Sequence, residues 1–100
     1  MLILREHETP KGLLVAVCDE GLIGEEFTGE GVQLTVSEEF YGGELVDPTA
    51  VIESLERATV ANLVGQEAVG VAIDNGHIDE AQILEVGETV HAQFLRMAQW

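Results

Sequence analysis

The stretch Asp47–Ala58, "DPTAVIESLERA", decides the fold class because the hydrophobic period of the chain changes there. Asp47 is a favourable N-cap residue, and proline is favoured at the first position of a helix, where Pro48 stands. The stretch then carries four apolar residues at helical spacing: Val51, Ile52, Leu55 and Ala58. This pattern predicts an amphipathic helix of about twelve residues.

A second helix is predicted over Gln66–Asp74, and Asn75-Gly76 after it is typical of a left-handed helix cap. Between the two helices, "TVANLVG" (Thr59–Gly65) either extends the first helix or forms a short extended segment. We expect a break near Asn62, because an asparagine amide can hydrogen-bond the main chain where a helix is interrupted.

Strands are predicted on both sides of the helices, at Leu2–Leu4, Leu13–Cys18, Val32–Val36, Ile83–Val86 and Thr89–Met97. Gly87-Glu88 is a two-residue, glycine-first link of the kind that closes type II′ hairpins. Asp19 is expected to cap a short helical turn that ends at Gly24. We therefore predict a single α+β domain over residues 1–100. In this two-layer sandwich, a mostly antiparallel sheet carries the two main helices on one face.

The charge of the chain is strongly negative, with nineteen acidic residues against four Lys and Arg and a formal net charge of −15. Several acids are adjacent, as in Glu25-Glu26, Glu38-Glu39 and Asp79-Glu80, and such clusters repel unless salt screens them. The simplest interpretation is a protein from a salt-accumulating cell. The alternative is an acidic surface for a basic partner or for cations.

The cellular compartment is predicted from one cysteine and from the apolar runs. Cys18 stands alone, which excludes an internal disulfide, and its place at the end of an apolar run predicts a buried, inert thiol. The start of the chain, "MLILREHETPK", turns polar after four residues, and no apolar run is long enough for a targeting signal or a membrane span. We expect a cytoplasmic protein that does not contact membranes.

Four segments, "LLVAVCDEGLIGEEF", "EEFYGG", "VANLVGQEAVGVAI" and "VGETVHAQFLRM", together resemble the archaeal family catalogued as domain of unknown function 424. The resemblance covers about residues 2–97. It implies an archaeal cytoplasmic protein with a compact α+β domain, and the acidity then fits a haloarchaeal branch. It carries over no catalytic residues and implies a loose association with RNA and translation. The near absence of lysine departs from what an RNA-binding relative would show.

The segment "EEFYGGE" (Glu38–Glu44) contains the first candidate binding residues. Ser37 can cap a short turn that begins with two glutamates, as the helix dipole prefers, and Phe40 is expected to anchor that turn in the core. Tyr41 is then the spare, amphipathic ring, and the glycines after it, Gly42 and Gly43, let another backbone approach. The sequence predicts Tyr41 as a contact residue.

Three further candidates come from the ambiguous segment and the last strand. In Thr89–Met97, side chains two apart share a face, so His91 and Gln93 point outward if the Phe94 face packs under the helices. An exposed imidazole beside an amide can hydrogen-bond a base edge, a backbone or a small ligand, or simply face solvent. Asn62 is the third candidate, with structural capping as its alternative.

Catalytic, metal and cofactor motifs are not recognisable in the sequence. The spaced glycines of phosphate loops and dinucleotide fingerprints are missing. "DNGHIDE" (Asp74–Glu80) lacks the ligand spacing of a calcium loop or a zinc site. Cys18 would need a histidine brought close by the fold before it could act as a nucleophile. We expect no catalytic residues, no metal and no cofactor, and we lean against an enzyme.

The function predicted first is a non-catalytic module that binds RNA or a ribonucleoprotein, and no DNA. Four scattered basic residues are few for phosphate contacts, but at molar salt counterion release drives binding weakly and stacking and hydrogen bonds matter more. The alternative is a protein-interaction subunit or a homo-oligomer, favoured by apolar residues near Leu95 and Met97. A small-molecule enzyme that uses His91 as its base is the third hypothesis.

Overall fold

The structure, a computed structural model, describes residues 1–29 and 31–96. The strands are β1 (Leu2–Thr9), β2 (Gly12–Asp19), β3 (Glu26–Gly29), β4 (Val32–Thr35), β5 (Glu44–Val46), β6 (Val60–Val64), β7 (Leu84–Val86) and β8 (Thr89–Leu95). The helices are α1 (Glu38–Tyr41), α2 (Pro48–Arg57) and α3 (Gln66–Asp74), and a short 3₁₀ turn covers Glu80–Gln82. Within residues 1–29 and 31–96, no helix has the length and apolar character needed to cross a membrane.

Six strands form the main sheet, in the order β5-β1-β2-β6-β8-β7, and β3 pairs with β4 in a separate hairpin. The contact between β2 and β6 is parallel, and the other neighbours in the sheet are antiparallel. A parallel pair needs a long return connection, and here the connection includes α2. The predicted α+β class and mostly antiparallel sheet are confirmed.

Helices α2 and α3 pack on the same face of the sheet, as predicted. Val51 and Leu55 of α2 and Ala68, Val69 and Ala72 of α3 meet the buried side chains of the central strands, which are Val15, Val17, Ala61, Leu63 and Ala92. The alternation along β8 follows the prediction, because Ala92 and its neighbours Val90 and Phe94 belong to this core. Met97, with which the predicted strand ended, lies outside the described residues.

The opposite face of the sheet is covered in part by α1 and by the β3–β4 hairpin. A second core forms there, made of Ala16, Cys18, Val36, Tyr41 and Val64. The predicted burial of Cys18 is confirmed, since this side chain has no accessible surface. Among the described residues, no element covers the rest of this face along β6 and β8, which carries the polar side chains of Asn62, His91 and Gln93.

The segment between the helices is a central strand, which corrects the expected break near Asn62. Helix α2 ends at Arg57, and Ala58 already has extended backbone angles. Strand β6 follows and pairs with β2 on one side and β8 on the other. Asn62 therefore lies in the middle of a strand and caps no helix.

Both ends of α3 show how the sequence sets its limits. At the C-terminus, Gly76 has φ +76°, the His77 N–H donates to the Ala72 carbonyl and the Gly76 N–H to the Ile73 carbonyl, so the predicted left-handed cap is confirmed as a Schellman motif. At the N-terminus, the Asp19 carboxylate accepts hydrogen bonds from the N–H groups of Glu67 and Ala68. Asp19 was expected to cap its own local turn, and this expectation is wrong.

The last hairpin is confirmed as type II′. Val86 pairs with Thr89 across the two-residue link. Gly87 has φ +61°, whereas Glu88 has no positive φ, and this combination distinguishes type II′ from type I′.

Candidate functional site

The candidate site is built on the outer edge of β1. Strand β1 pairs with β2 along its whole length, from Leu2 to Thr9. On its other side it pairs with β5 over Leu2–Leu4 alone. Among the described residues, no strand lies beside the remaining stretch, Arg5–Thr9. We call this stretch the open edge.

The backbone direction at the open edge follows from one hydrogen bond on β2. The Thr59 N–H donates to the Leu13 carbonyl at 2.8 Å, so the Leu13 backbone faces β6 and turns away from β1. Glu8 stands opposite Leu13, and in an antiparallel ladder such a pair exchanges no hydrogen bonds with each other. The N–H and C=O groups of Glu8 therefore point outward. With a period of two residues, those of Glu6 do as well.

A groove of about 540 Å³ lies at the Arg5–Glu6 end of the open edge. Its lining comes from β1, from Gly42-Gly43 between α1 and β5 (the glycine loop), from β5 and from α2, and includes Arg5, Glu6, Gly43, Ala50, Glu53 and Arg57. On the side opposite α2, the His7 ring stacks on Phe40 of α1 at 5.2 Å, and His7 Nε2 lies 2.9 Å from the Phe40 carbonyl oxygen. These contacts fix α1 against β1.

An ionic network holds α2 to β1 at the groove. Ser54 Oγ and Arg57 Nη2 each donate to Glu6 Oε2 at 2.6 Å. The hydrogen bond from Ser54 is the main cause that lowers the pKa of Glu6 below its usual value. Arg57 also lowers this pKa, and partial burial opposes the shift. The Arg57 charge is thus already compensated by Glu6.

The remaining charges of this region are mainly acidic. Arg5 Nη1 donates to the Gly42 carbonyl at 2.9 Å and so closes the end of the glycine loop. Glu44 and Glu53 line the groove, and Glu8 lies on the open edge next to it. Within the described residues these three carboxylates form no ion pair. The groove is therefore acidic beside a free strand edge.

The predicted residues Gly42 and Gly43 lie in this groove, but the close backbone belongs to the chain itself. A Cβ on Gly43 would collide with the carbonyl oxygen of Leu4, and one on Gly42 with that of Glu38. The pair is therefore required by the packing of the loop against β1 and α1. Their predicted role as contacts for a partner is untested by this geometry and stays a prediction.

Of the two rings in "EEFYGGE", Tyr41 is the more deeply buried, which corrects its expected role as the spare ring. Tyr41 is only 4% exposed and belongs to the second core, and burial raises the pKa of its hydroxyl to about 12. Phe40 is the partly exposed ring and stacks on His7. In this helix of four residues Tyr41 is a buried member of the second core, and Phe40 packs against that core while remaining partly exposed. Tyr41 therefore offers almost no surface to a partner.

Asn62, His91 and Gln93 lie together on the open part of the sheet, away from the groove. Asn62 stands directly opposite Gln93, and His91 opposite Val64, so the three side chains share a face. Gln93 is exposed, while Asn62 and His91 are half-buried, and burial lowers the pKa of His91. Two strand spacings, about 10 Å, separate Asn62 from β1.

Metal and thiol chemistry find little support in the arrangement. Across the part of the chain that the structure describes, no three His, Cys, Asp or Glu side chains are placed to hold a metal ion. Burial, with a smaller contribution from the Asp19 charge, raises the pKa of the Cys18 thiol to about 11. At neutral pH the thiolate, which is the reactive form, is therefore scarce.

The open edge is the feature that sequence reasoning missed. The predicted first strand stopped at Leu4 because "REHET" (Arg5–Thr9) is polar at every position. A strand with two polar faces gives no alternation of hydrophobicity. Only the ladder with β2 shows that the strand continues.

Comparison with known proteins places the chain in a family. No curated protein matches it. A solved structure described as "Crystal structure of an uncharacterized conserved protein from Methanopyrus kandleri" is similar, with 30% sequence identity and a TM-score of 0.81 over 99% of this chain and 96% of that chain. The family model DUF424, "Protein of unknown function", matches residues 7–97. This match confirms the resemblance seen in the sequence, and the haloarchaeal branch stays a prediction. The chain belongs to the DUF424 family.

Proposed function

We propose that the protein is a non-catalytic binding module that holds an extended segment of a protein partner along the open edge of β1. The observation that carries the proposal is the outward direction of the Glu6 and Glu8 backbone groups beside a groove. An added strand would pair with these groups through main-chain hydrogen bonds, which is how many domains bind extended peptides. The five residues Arg5–Thr9 span roughly 16 Å of edge.

The walls of the groove support binding rather than mere protection of an edge. Natural proteins often blunt exposed edges with charged side chains, and Glu6 and Glu8 suit that purpose as well. An edge that is only protected needs no walls. Here the α2 wall of the groove is held to β1, because Arg57, which lines the groove, and Ser54 both donate to Glu6. A groove formed in advance lowers the entropy cost of binding.

RNA or a ribonucleoprotein is the second candidate partner, and one observation favours it. Asn62 and Gln93 face each other on the open sheet, and amide groups can hydrogen-bond the edges of unstacked bases. Against it, three of the four Lys and Arg side chains are already engaged, Arg57 by Glu6, Arg5 by the Gly42 carbonyl and Arg96 by the Glu56 carbonyl. Few cations remain for phosphates, so a protein partner is the better supported proposal.

The cellular setting is part of the same proposal. We place the protein in the cytoplasm of a salt-accumulating cell, supported by its single cysteine and its nineteen acidic residues.

The proposal is tested with a matched pair of variants at one position. Glu8→Pro removes the outward N–H, which takes no part in the ladder with β2, whereas Glu8→Ala keeps it; both remove the carboxylate. Tagged wild-type protein and both variants are recovered from crosslinked cells at native salt, with and without ribonuclease treatment before capture. We expect one protein partner that survives ribonuclease, persists with Glu8→Ala and is lost with Glu8→Pro.

Other outcomes decide against the proposal. A partner that disappears after ribonuclease treatment would favour the RNA candidate. A partner that persists with Glu8→Pro would show that the open edge is not the binding surface. Circular dichroism and thermal unfolding of both variants check that loss of the partner is not loss of the fold.

A further inference from the structure

We propose that the segment held at the open edge is basic, with Lys or Arg at every second residue and those side chains turned toward α2. This inference rests on the proposed function and adds the chemistry of the partner to it. Residues of an added strand alternate between the two sides of the sheet. The two sides of the open edge differ in charge. The side chains of the added strand must therefore alternate in charge as well.

The α2 side of the edge is acidic. Glu6 lies on this side, because its carboxylate contacts Ser54 and Arg57 of α2, and Glu8, two residues later, shares the side. Glu44 and Glu53 line the same groove. Arg57 compensates Glu6, which leaves three carboxylates to a partner: Glu8, Glu44 and Glu53. Lys or Arg side chains at alternate positions of the added strand would meet them.

The opposite side of the edge is less acidic, because it carries His7 and because the Arg5 cation lines a pocket there together with Glu38 and Glu39 of α1. The His7 ring is stacked on Phe40, and Arg5 is bonded to the Gly42 carbonyl. Uncharged, β-branched residues suit these positions, because they fit a pleated, half-exposed surface. The expected pattern is therefore basic and β-branched residues in alternation.

A second copy of the chain is a poor occupant of the same edge. Leu4 is already paired with Glu44 of β5, so Glu6 and Glu8 supply the outward backbone groups. An antiparallel pairing of β1 with its own copy must therefore set Glu6 or Glu8 against Glu6 or Glu8 of that copy. Like charges directly opposite each other destabilise a strand pair. A basic partner meets no such repulsion.

The inference is tested with short synthetic peptides and the full chain. The basic probe is acetyl-Lys-Val-Lys-Val-Lys-amide, and the matched probes replace Lys by Glu or by Thr. A fourth probe repeats the basic peptide with N-methyl groups on alternate amides, which blocks strand addition and keeps the charge. Binding is followed by nuclear magnetic resonance through the backbone amides of Glu6 and Glu8. We expect the basic peptide to bind tightest and the N-methylated peptide not to shift these amides.

Variants that change one charge test whether the Glu8 carboxylate contributes to peptide binding. We expect Glu8→Gln to weaken the basic peptide about two- to five-fold and Glu8→Lys about ten-fold, with little change for the Thr peptide. Gln33→Glu, on β4 of the separate hairpin, changes the net charge far from the edge and should leave binding unchanged.

The outcomes separate this inference from the proposed function. If the Thr or Glu peptide shifts the Glu6 and Glu8 amides as strongly as the basic one, strand addition stands and the basic partner is wrong. If the basic peptide shifts residues elsewhere and its N-methylated form binds equally well, it binds by charge alone and both proposals fail. If none of the peptides shifts these amides, both fail as well.

Discussion

The two halves of β1 share one continuous ladder with β2, yet the surroundings of their outer sides are opposite. The first half, Leu2–Leu4, has β5 on its outer side, and Leu2 is completely buried. The second half, Arg5–Thr9, is the open edge, and most of its residues are exposed. The difference is that β5 ends its pairing at Leu4. Whether a strand edge is open therefore depends on where the neighbouring strand stops pairing, and not on the ladder on the other side of the strand.

The largest expected effect concerns the two aromatic residues of α1, which pack near the two halves of β1. Tyr41 lies in the second core with Ala16 and Cys18, close to the first half of β1, whereas Phe40 covers His7 in the second half. We expect Tyr41→Ala to lower the free energy of unfolding by about 3–5 kcal/mol. Phe40→Ala is expected to lower it by about 1–2 kcal/mol, because its ring is partly exposed. Urea unfolding of both variants measures the difference, and equal losses would contradict the assignment of Tyr41 as the more deeply buried ring.

The next comparison lies within β1 itself. Leu2→Ala removes a fully buried side chain and should lower the free energy of unfolding by about 2–5 kcal/mol. Glu8→Ala, in the open half, should change it by no more than about 0.5 kcal/mol. The same urea titration checks both. A loss above about 1 kcal/mol for Glu8→Ala would mean that the open edge contributes to the fold, contrary to our account.

The smallest effect concerns the pH dependence of the groove wall. The pKa of Glu6 is lowered in the folded state, chiefly by Ser54, so this contribution to stability is present above the usual pKa of Glu6 and is lost as the pH falls through the folded value. Above the usual pKa of Glu6, wild type should therefore be more stable than Ser54→Ala, by less than about 1 kcal/mol because the pair is partly exposed. This difference in stability should narrow as the pH falls. Wild type and variant are compared between about pH 6 and pH 3. If the difference in stability between wild type and Ser54→Ala became larger toward acid pH, the sign would be reversed, and this would contradict the stabilisation of the Glu6 carboxylate by Ser54.

Much of the fold could be predicted from local sequence signals. The Asp47 cap, the Gly76 cap and the Gly87 turn are all set by residues within a few positions of each other. Strand β6 could not be predicted in this way, because "VANLV" is too short to tell a strand from an extension of α2. Its assignment depends on pairing with β2, more than forty residues earlier in the chain.

The candidate site was predictable only in part, for the same reason. Gly42 and Gly43 were recognised as a place of close backbone approach, and they do lie in the groove. The open edge itself depends on where β5 stops pairing with β1, and no residue of "REHET" indicates where that pairing ends. Asp19 shows the same effect, since its carboxylate caps a helix 48 residues away.

Amide hydrogen exchange, with and without the basic peptide, tests the central claim most directly. In the free protein we expect slow exchange at Leu4, Arg5 and His7, whose N–H groups face β5 or β2, and fast exchange at Glu6 and Glu8. Bound peptide should slow exchange at Glu6 and Glu8 while Arg5 and His7 change little. Slow exchange at Glu6 and Glu8 in the free protein, or no slowing when the peptide is bound, would contradict the account.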